Sequence, residues 1–166
     1  GRDFDKEITK LMKKKYFDIH NVKIDIENNK EYIHKAEEVK KILSVKDKAS
    51  IEINGPKGSQ KIDITQEEFE ESIQTYIEKI KMLIEEAMEA SGMNPSRINQ
   101  TLLVGGSTRM PIVTKVLTQM MGKPPVKGVN VDEAVVCGAA IYAGLKTEKE
   151  TLSDQQQEAL KEVNLT

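Results

Sequence analysis

The chain has 166 residues, 38% hydrophobic and 31% charged, with 25 lysines and arginines against 27 acids for a net charge of −2. That balance, with 4% aromatic residues and no tryptophan, argues against a nucleic-acid face, an anionic-lipid surface or a single-strand stacking platform. One cysteine and two histidines exclude a disulfide framework, a thiolate zinc site and a multi-histidine metal centre, and no run of about 18 apolar residues predicts a membrane span.

The chain opens at "GRDFDKEI" without an initiator Met, as expected of an excised fragment. Residues 1–93 are helix-rich and rich in Lys and Glu; residues 94–150 are apolar and rich in Gly and Ala; residues 151–166 form a polar tail. Phe4, Ile8, Leu11 and Met12 recur at helical spacing and predict an opening amphipathic helix. "FDIHNVKIDIENN" reads as a connection with some extended character, and a second helix is predicted over about 30–44. "SIEIN" and "KIDIT" alternate apolar and polar residues around the turn string "GPKGS", which predicts a hairpin. Thr65 and Glu68 fit a capping box opening a long helix. Its apolar stripe is Phe69, Ile73, Ile77, Ile80, Ile84 and Ala87, and Gly92 ends it. "TLLV", at 101–104, predicts a strand buried on both faces, with an open edge that favours self-association. Helices follow over about 111–121 and 131–145, then the polar helix "SDQQQEALKEV" and an extended "VNLT".

Three features could carry chemistry. In "VGGSTRMP", two glycines lead to a helix start whose free amides attract anions, with Ser107 a candidate cap and Pro111 suited to the first turn. Spacing alone leaves a ligand site and a plain structural turn equally open, and neither a P-loop nor a dinucleotide fingerprint is present. Arg109 beside the glycines could stack on a flat ring, pair with a carboxylate, or stand exposed. Glu37, Lys40, Lys41 and Ser44 share one helix face and could surround a nucleoside; taken alone, a solvated face laced with helix salt bridges explains them more simply. In "NVDEAVVCGAAIYAG", Asn130 can cap a helix with Asp132 and Glu133 in its first turn, and Cys137 reads as a small packed residue. His20 and His34 read as surface residues.

Taken in order, "GRDFD", "AEEVKKILS", "LLVGGSTRMP" and "NVDEAVVCGAAI" closely resemble the seventy-kilodalton heat-shock chaperone family, DnaK and its relatives, over essentially the whole chain. The wider actin-like ATPases share that family's fold without these strings. The resemblance implies a mixed α/β fold, a fragment of lobe II of an actin-like ATPase. Residues 1–93 would form its helix-rich outer subdomain, with the antiparallel hairpin, over the adenine. Residues 94–150 would form part of the inner βα layer, and 151–166 a terminal helix and the start of the interdomain linker. Glu37, Lys40 and Ser44 would line the adenosine pocket, with Lys41 where the family often has an arginine stacked on adenine. Gly105, Gly106, Ser107 and Arg109 would form the opposite wall, with Arg109 over the other face of the base and Asp132 at the edge.

No catalytic residue and no metal ligand is assigned to this stretch. The family's "GIDLGTT" and "DLGGGTFD" phosphate loops and its catalytic lysine would precede Gly1, so this stretch is expected to bind ATP weakly and to hydrolyse none. The parent would be a cytoplasmic, stress-response chaperone ATPase using ATP/ADP with Mg²⁺ held by other parts. Its partners would be a nucleotide-exchange factor and a J-domain co-chaperone. An alternative makes residues 1–92 a docking platform for such a partner, without nucleotide binding. A filament-forming actin-like protein is disfavoured by "VGGSTRMP". Gly1 matches the second glycine of the family's "GG[ED]DFD". Arg2 replaces an acid, Val131 a proline, and Asn164 and Thr166 linker leucines, departures that suit a specialised paralogue.

Overall fold

The computed structural model describes residues 1–126, 130–147 and 151–162. The expected extended segment at 163–166 lies outside the described residues.

The opening helix, α1 (Arg2–His20), buries Phe4, Ile8, Met12 and Tyr16 along one stripe. It stops at Asn21, which takes a left-handed conformation (φ 52°) and donates its N–H to the Phe17 carbonyl at 2.7 Å. Asparagine tolerates that region better than most residues with a Cβ. The connection that follows buries Ile24 and Ile26 without forming a strand. Asn29 caps α2 (Lys30–Leu43), its side chain accepting the Glu31 N–H at 2.9 Å. Tyr32, Ala36, Val39 and Leu43 then turn inward at spacings of 3 and 4.

Two strands, β1 (Lys48–Gly55) and β2 (Gly58–Thr65), pair antiparallel with Ile51 opposite Ile62 and Ala49 opposite Ile64. Period-2 alternation puts Ala49, Ile53, Ile62 and Ile64 into the core and Lys48, Ser50 and Asp63 outward. Two tyrosine hydroxyls clamp the hairpin. Tyr32 Oη donates to the Asn54 carbonyl at 3.0 Å and accepts the Asn54 N–H at 2.9 Å. Tyr16 Oη accepts the Lys57 N–H at 3.1 Å, and the Tyr16 ring lies against Gly55 so closely that a Cβ there would overlap it.

Thr65 opens α3 (Gln66–Ser72) through a complete capping box. Glu68 N–H donates to Thr65 Oγ1 at 3.2 Å, and Thr65 N–H donates to Glu68 Oε2 at 2.9 Å. The expected single long helix is interrupted. Ile73 sits at φ −97°, ψ 4°, and α4 (Gln74–Ser91) starts anew beyond it. Ser72 Oγ donates to the Phe69 carbonyl at 2.7 Å, offering a local alternative to the helical ladder. The stripe bends so that Phe69, Ile73 and Ile77 stay in the core while Ala87 emerges into solvent. Gly92 ends α4 in the left-handed region at φ 63°.

The later segment departs further from expectation. Residues 101–104 are irregular, not a strand, with Leu102 56% exposed and Val104 also exposed. A strand of this kind needs neighbours to take its N–H and C=O groups. The described sheet contains only β1 and β2, so the expected "TLLV" sheet edge is not formed. Pro111 starts α5 (Pro111–Met121), which buries Ile112, Val116 and Leu117. The small-residue helix α6 (Ala134–Lys146) begins later than expected and buries none of its residues: Val135 is 70% and Tyr142 63% exposed. Cys137 is therefore exposed, contrary to the expected packed position. His20 departs in the other direction; it stacks on Tyr16 with ring centroids 4.5 Å apart and is half-buried. The polar tail forms α7 (Asp154–Glu162). Among the described residues no helix is long and apolar enough to cross a membrane.

Gly55→Ala is expected to destabilise the chain by about 1–3 kcal/mol in urea unfolding, since the buried, hydrogen-bonded Tyr16 ring cannot easily yield. A second test concerns Glu68. Burial works against its ionisation, but the Lys15 ammonium at 2.5 Å and the Thr65 N–H outweigh it and hold the carboxyl below its ordinary value near 4.5. A carboxyl depressed on folding contributes stability above its unfolded pKa and loses it as pH falls through the folded one. Glu68→Gln, which keeps the cap without the charge, is expected to lose less melting temperature than the parent chain between neutral pH and acid below that ordinary value.

Candidate functional site

Two segments more than sixty residues apart meet because of one buried side chain. Met110 follows the glycine turn and is 1% exposed. Ser44, at the end of α2, donates its hydroxyl to the Lys40 carbonyl at 2.9 Å, and its Oγ lies 3.1 Å from Met110 Sδ. Burial of Met110 thus sets the turn against the last turns of α2.

The turn itself demands glycine. Gly105 sits at φ 93°, ψ 147°, a conformation that a side chain resists. Its N–H donates to the Val131 carbonyl at 2.7 Å, and its carbonyl accepts Thr108 Oγ1 at 2.7 Å. A 3-10 turn over Gly106–Arg109 follows. The bond to Val131 carries Asp132 alongside, where it pairs with Arg109. A Cβ at Gly106 would make only ordinary contact with Asp132 Oδ1, at 3.6 Å, so the positive-φ constraint falls on Gly105.

Between these walls lies a cleft of about 940 Å³. Glu37, Lys40, Lys41, Ser44 and Val45 line it from α2 and its C-terminus; Gly106, Ser107, Arg109 and Asp132 line it opposite, with Gly1 beside Ser107. Of the sequence-selected residues only Gly105 lies outside the lining, where it acts as the pivot of the turn.

Every side-chain cation in the cleft has a carboxylate partner. Lys40 Nζ reaches Asp5 Oδ1 at 2.6 Å, with the two side chains 12% and 13% exposed. Lys41 Nζ reaches Glu37 Oε1 at 2.9 Å, and Arg109 pairs with Asp132. The hydrogen bond and nearby charge of Lys41 lower the Glu37 carboxyl below its ordinary range, and the same contact raises Lys41. Three cations against three acids leave no net side-chain charge for a multivalent anion, while unused N–H donors and carboxylate acceptors remain.

A second groove of about 630 Å³ runs between the end of α1 and the hairpin, lined by Lys15, Asp18, Lys48 and Asp63 among others. There Lys48 pairs with Asp63 at 2.9 Å and Lys15 with Glu68 at 2.5 Å, and no second segment closes over it with glycines. Among the described residues no three His, Cys, Asp or Glu side chains converge on a metal position.

The sequence profile of the Hsp70 protein family matches residues 1–164. The chain belongs to the Hsp70 family. It is 34% identical over 154 residues to the "Chaperone protein dnaK" of Emiliania huxleyi and 35% identical over 154 residues to that of Thalassiosira pseudonana, in each case covering 87% of this chain and 25% of the relative. It is also 42% identical over 82 residues to the "Chaperone protein DnaK" of Thermus thermophilus, covering 49% of this chain and 13% of that protein. The chain thus spans about a quarter of the length of the first two.

In this Hsp70 chain two expected caps are placed differently. Ser107 does not cap α5, whose N-cap position is Met110. Asn130 Oδ1 accepts the Asp132 N–H at 3.2 Å, so it closes the turn before α6 while Glu133 holds the N-cap position. Four residues escaped the sequence reading of the site: Gly1, Asp5, Val45 and Met110. Asp5 had a signal: it shares the buried face of α1 with Thr9, Met12 and Tyr16, and an acid on such a face requires a partner. Met110 is hidden between a charged residue and a proline, and nothing in the sequence marks Val45.

Met110→Ala is expected to cost about 2–5 kcal/mol in denaturant unfolding. A loss well below that range would show that Met110 does not hold the two walls together.

Proposed function

We propose that this chain is part of lobe II of the nucleotide-binding domain of an Hsp70-type chaperone, and that its cleft recognises the adenosine portion of ATP or ADP. One observation carries the reading: the α2 face and the glycine turn, separate in sequence, enclose a single cleft with balanced charge. A neutral, flat, hydroxyl-bearing group suits such a site better than a phosphate chain does. Glu37 and Asp132 accept from hydroxyls, Lys40 and Lys41 donate to ring nitrogens and hydroxyl oxygens, and Ser44 serves as either donor or acceptor. Gly105, Gly106 and Ser107 let the base lie against the backbone, and the Arg109 guanidinium covers one of its faces.

In this reading residues 1–93 are the outer subdomain, 94–150 part of the inner actin-like layer, and 151–166 the terminal helix and start of the interdomain linker. The exposed apolar side chains of 101–104 and α6 fit a layer completed by the rest of a longer chain. The parent is a protein-folding ATPase of the cytoplasm in which Mg²⁺ and the phosphates are held by other stretches, so this one alone turns over no ATP. A nucleotide-exchange factor and a J-domain protein are its proposed partners. The tyrosine-clamped hairpin supports a second reading, in which the outer subdomain is a rigid docking platform for an exchange factor and binds no nucleotide.

Adenosine titrated into the isotopically labelled chain is expected to shift backbone amides of 37–45 and 105–109 first. Affinity without phosphate contacts is expected to be roughly millimolar, on the order of 4 kcal/mol. Shifts centred elsewhere, or none at saturating adenosine, would rule the adenosine reading out.

A further inference from the structure

A lysine that serves a ligand works best when its ammonium is held in one place, because its stem carries about 2 kcal/mol of rotamer entropy. Lys40 has a holder outside the cleft. Asp5 belongs to the first turn of α1 and does not line the cleft, yet its Oδ1 accepts from Lys40 Nζ at 2.6 Å. Asp5 is itself fixed: its N–H donates to the Gly1 carbonyl at 3.1 Å, and its carbonyl accepts Thr9 Oγ1 at 3.0 Å from a buried threonine. Lys41 makes a useful contrast. Its pair with Glu37 runs along one helix, and its side chain is 66% exposed. The Lys40 pair is half-buried and crosses from helix to helix.

We infer that Asp5 is a positioning residue for the cleft: it aims the Lys40 ammonium at the ligand, with two of its three N–H donors left over, and so couples ligand binding to the seating of α1. The inference rests on the adenosine reading above. A carboxylate that merely joined α1 to α2 would affect stability and leave the ligand response of Lys40 unchanged.

Trace acylation of the full 166-residue chain, read by peptide mass spectrometry as the ratio of Lys40 to Lys41 labelling, separates these roles. Asp5→Asn is expected to raise the ratio about tenfold, as when a hydrogen bond between charged groups is lost. Saturating adenosine is expected to protect Lys40 in the parent chain and to lose much of that protection in Asp5→Asn. An unchanged ratio in Asp5→Asn overturns the inference. A raised ratio with equal adenosine protection in both proteins also overturns it, and leaves the adenosine reading standing. A raised ratio with no protection in the parent overturns the adenosine reading and the inference together. If Asp5→Asn does not fold, Asp5→Glu decides the matter. It keeps the charge and displaces it by one methylene, so a smaller change in the same direction is expected, and an unchanged ratio overturns the inference.

Discussion

The buried face of α1 is the surface on which the other elements of the first block are assembled. Phe4 meets Phe69 of α3 edge-on, with ring centroids 6.1 Å apart, and Tyr76 of α4 at the same distance. Tyr16 receives the hairpin turn through the Lys57 N–H and its packing on Gly55. Asp5 reaches α2 through Lys40, and Lys15 reaches the capping box at Glu68. Helix, hairpin and helix pair thus lean on one stripe of aromatic and aliphatic side chains, supplemented by ion pairs at its margins. Apolar burial outweighs those ion pairs. A fully buried Phe, Ile or Met contributes about 1.5–3 kcal/mol, whereas desolvation offsets much of the attraction within the half-buried Lys40–Asp5 and Lys15–Glu68 pairs.

The cleft follows from that assembly at second hand. The end of α2 is positioned by its packing on α1 and the hairpin, and Met110 then seats the glycine turn against it. Asp132 arrives with the turn because Gly105 is bonded to Val131. The resulting walls carry their charges in pairs, which brings two lysines and an arginine to the cleft without building a strong positive field.

Much of the local structure was legible in the sequence where a short-range rule decides it. The Thr65–Glu68 box, the alternation of "SIEIN" and "KIDIT", the Gly92 stop and the Pro111 start are each satisfied within a few residues or one strand pairing, and each appears in the structure. The break at Ile73 was not legible, because a bend that keeps Ile73 and Ile77 in one core leaves the helical spacing of the sequence unchanged. "TLLV" and the small-residue run of α6 misled for a different reason. Their apolar character states what they can bury, while the described structure contains nothing that covers them. The glycine turn and the α2 face could each be named from sequence, but a helix face of Glu, Lys, Lys and Ser looks the same whether it faces solvent or a second wall.

By itself the sequence determined the capping box at Thr65, the Gly92 stop, the span of α5, the existence of the hairpin, the apolar stripe of α1 and the membership of the Hsp70 family. Those are consequences of hydrogen bonds and side-chain periodicities that act over a few neighbours, and of strings that need no three-dimensional context. Only the tertiary structure decided that Lys40 answers to Asp5, that Arg109 answers to Asp132, and that Ser44 and Met110 bring two distant segments to one cleft. Such pairings depend on which surfaces meet when the core closes, and contacts between residues 23 to 66 positions apart leave no periodicity in the chain to be read.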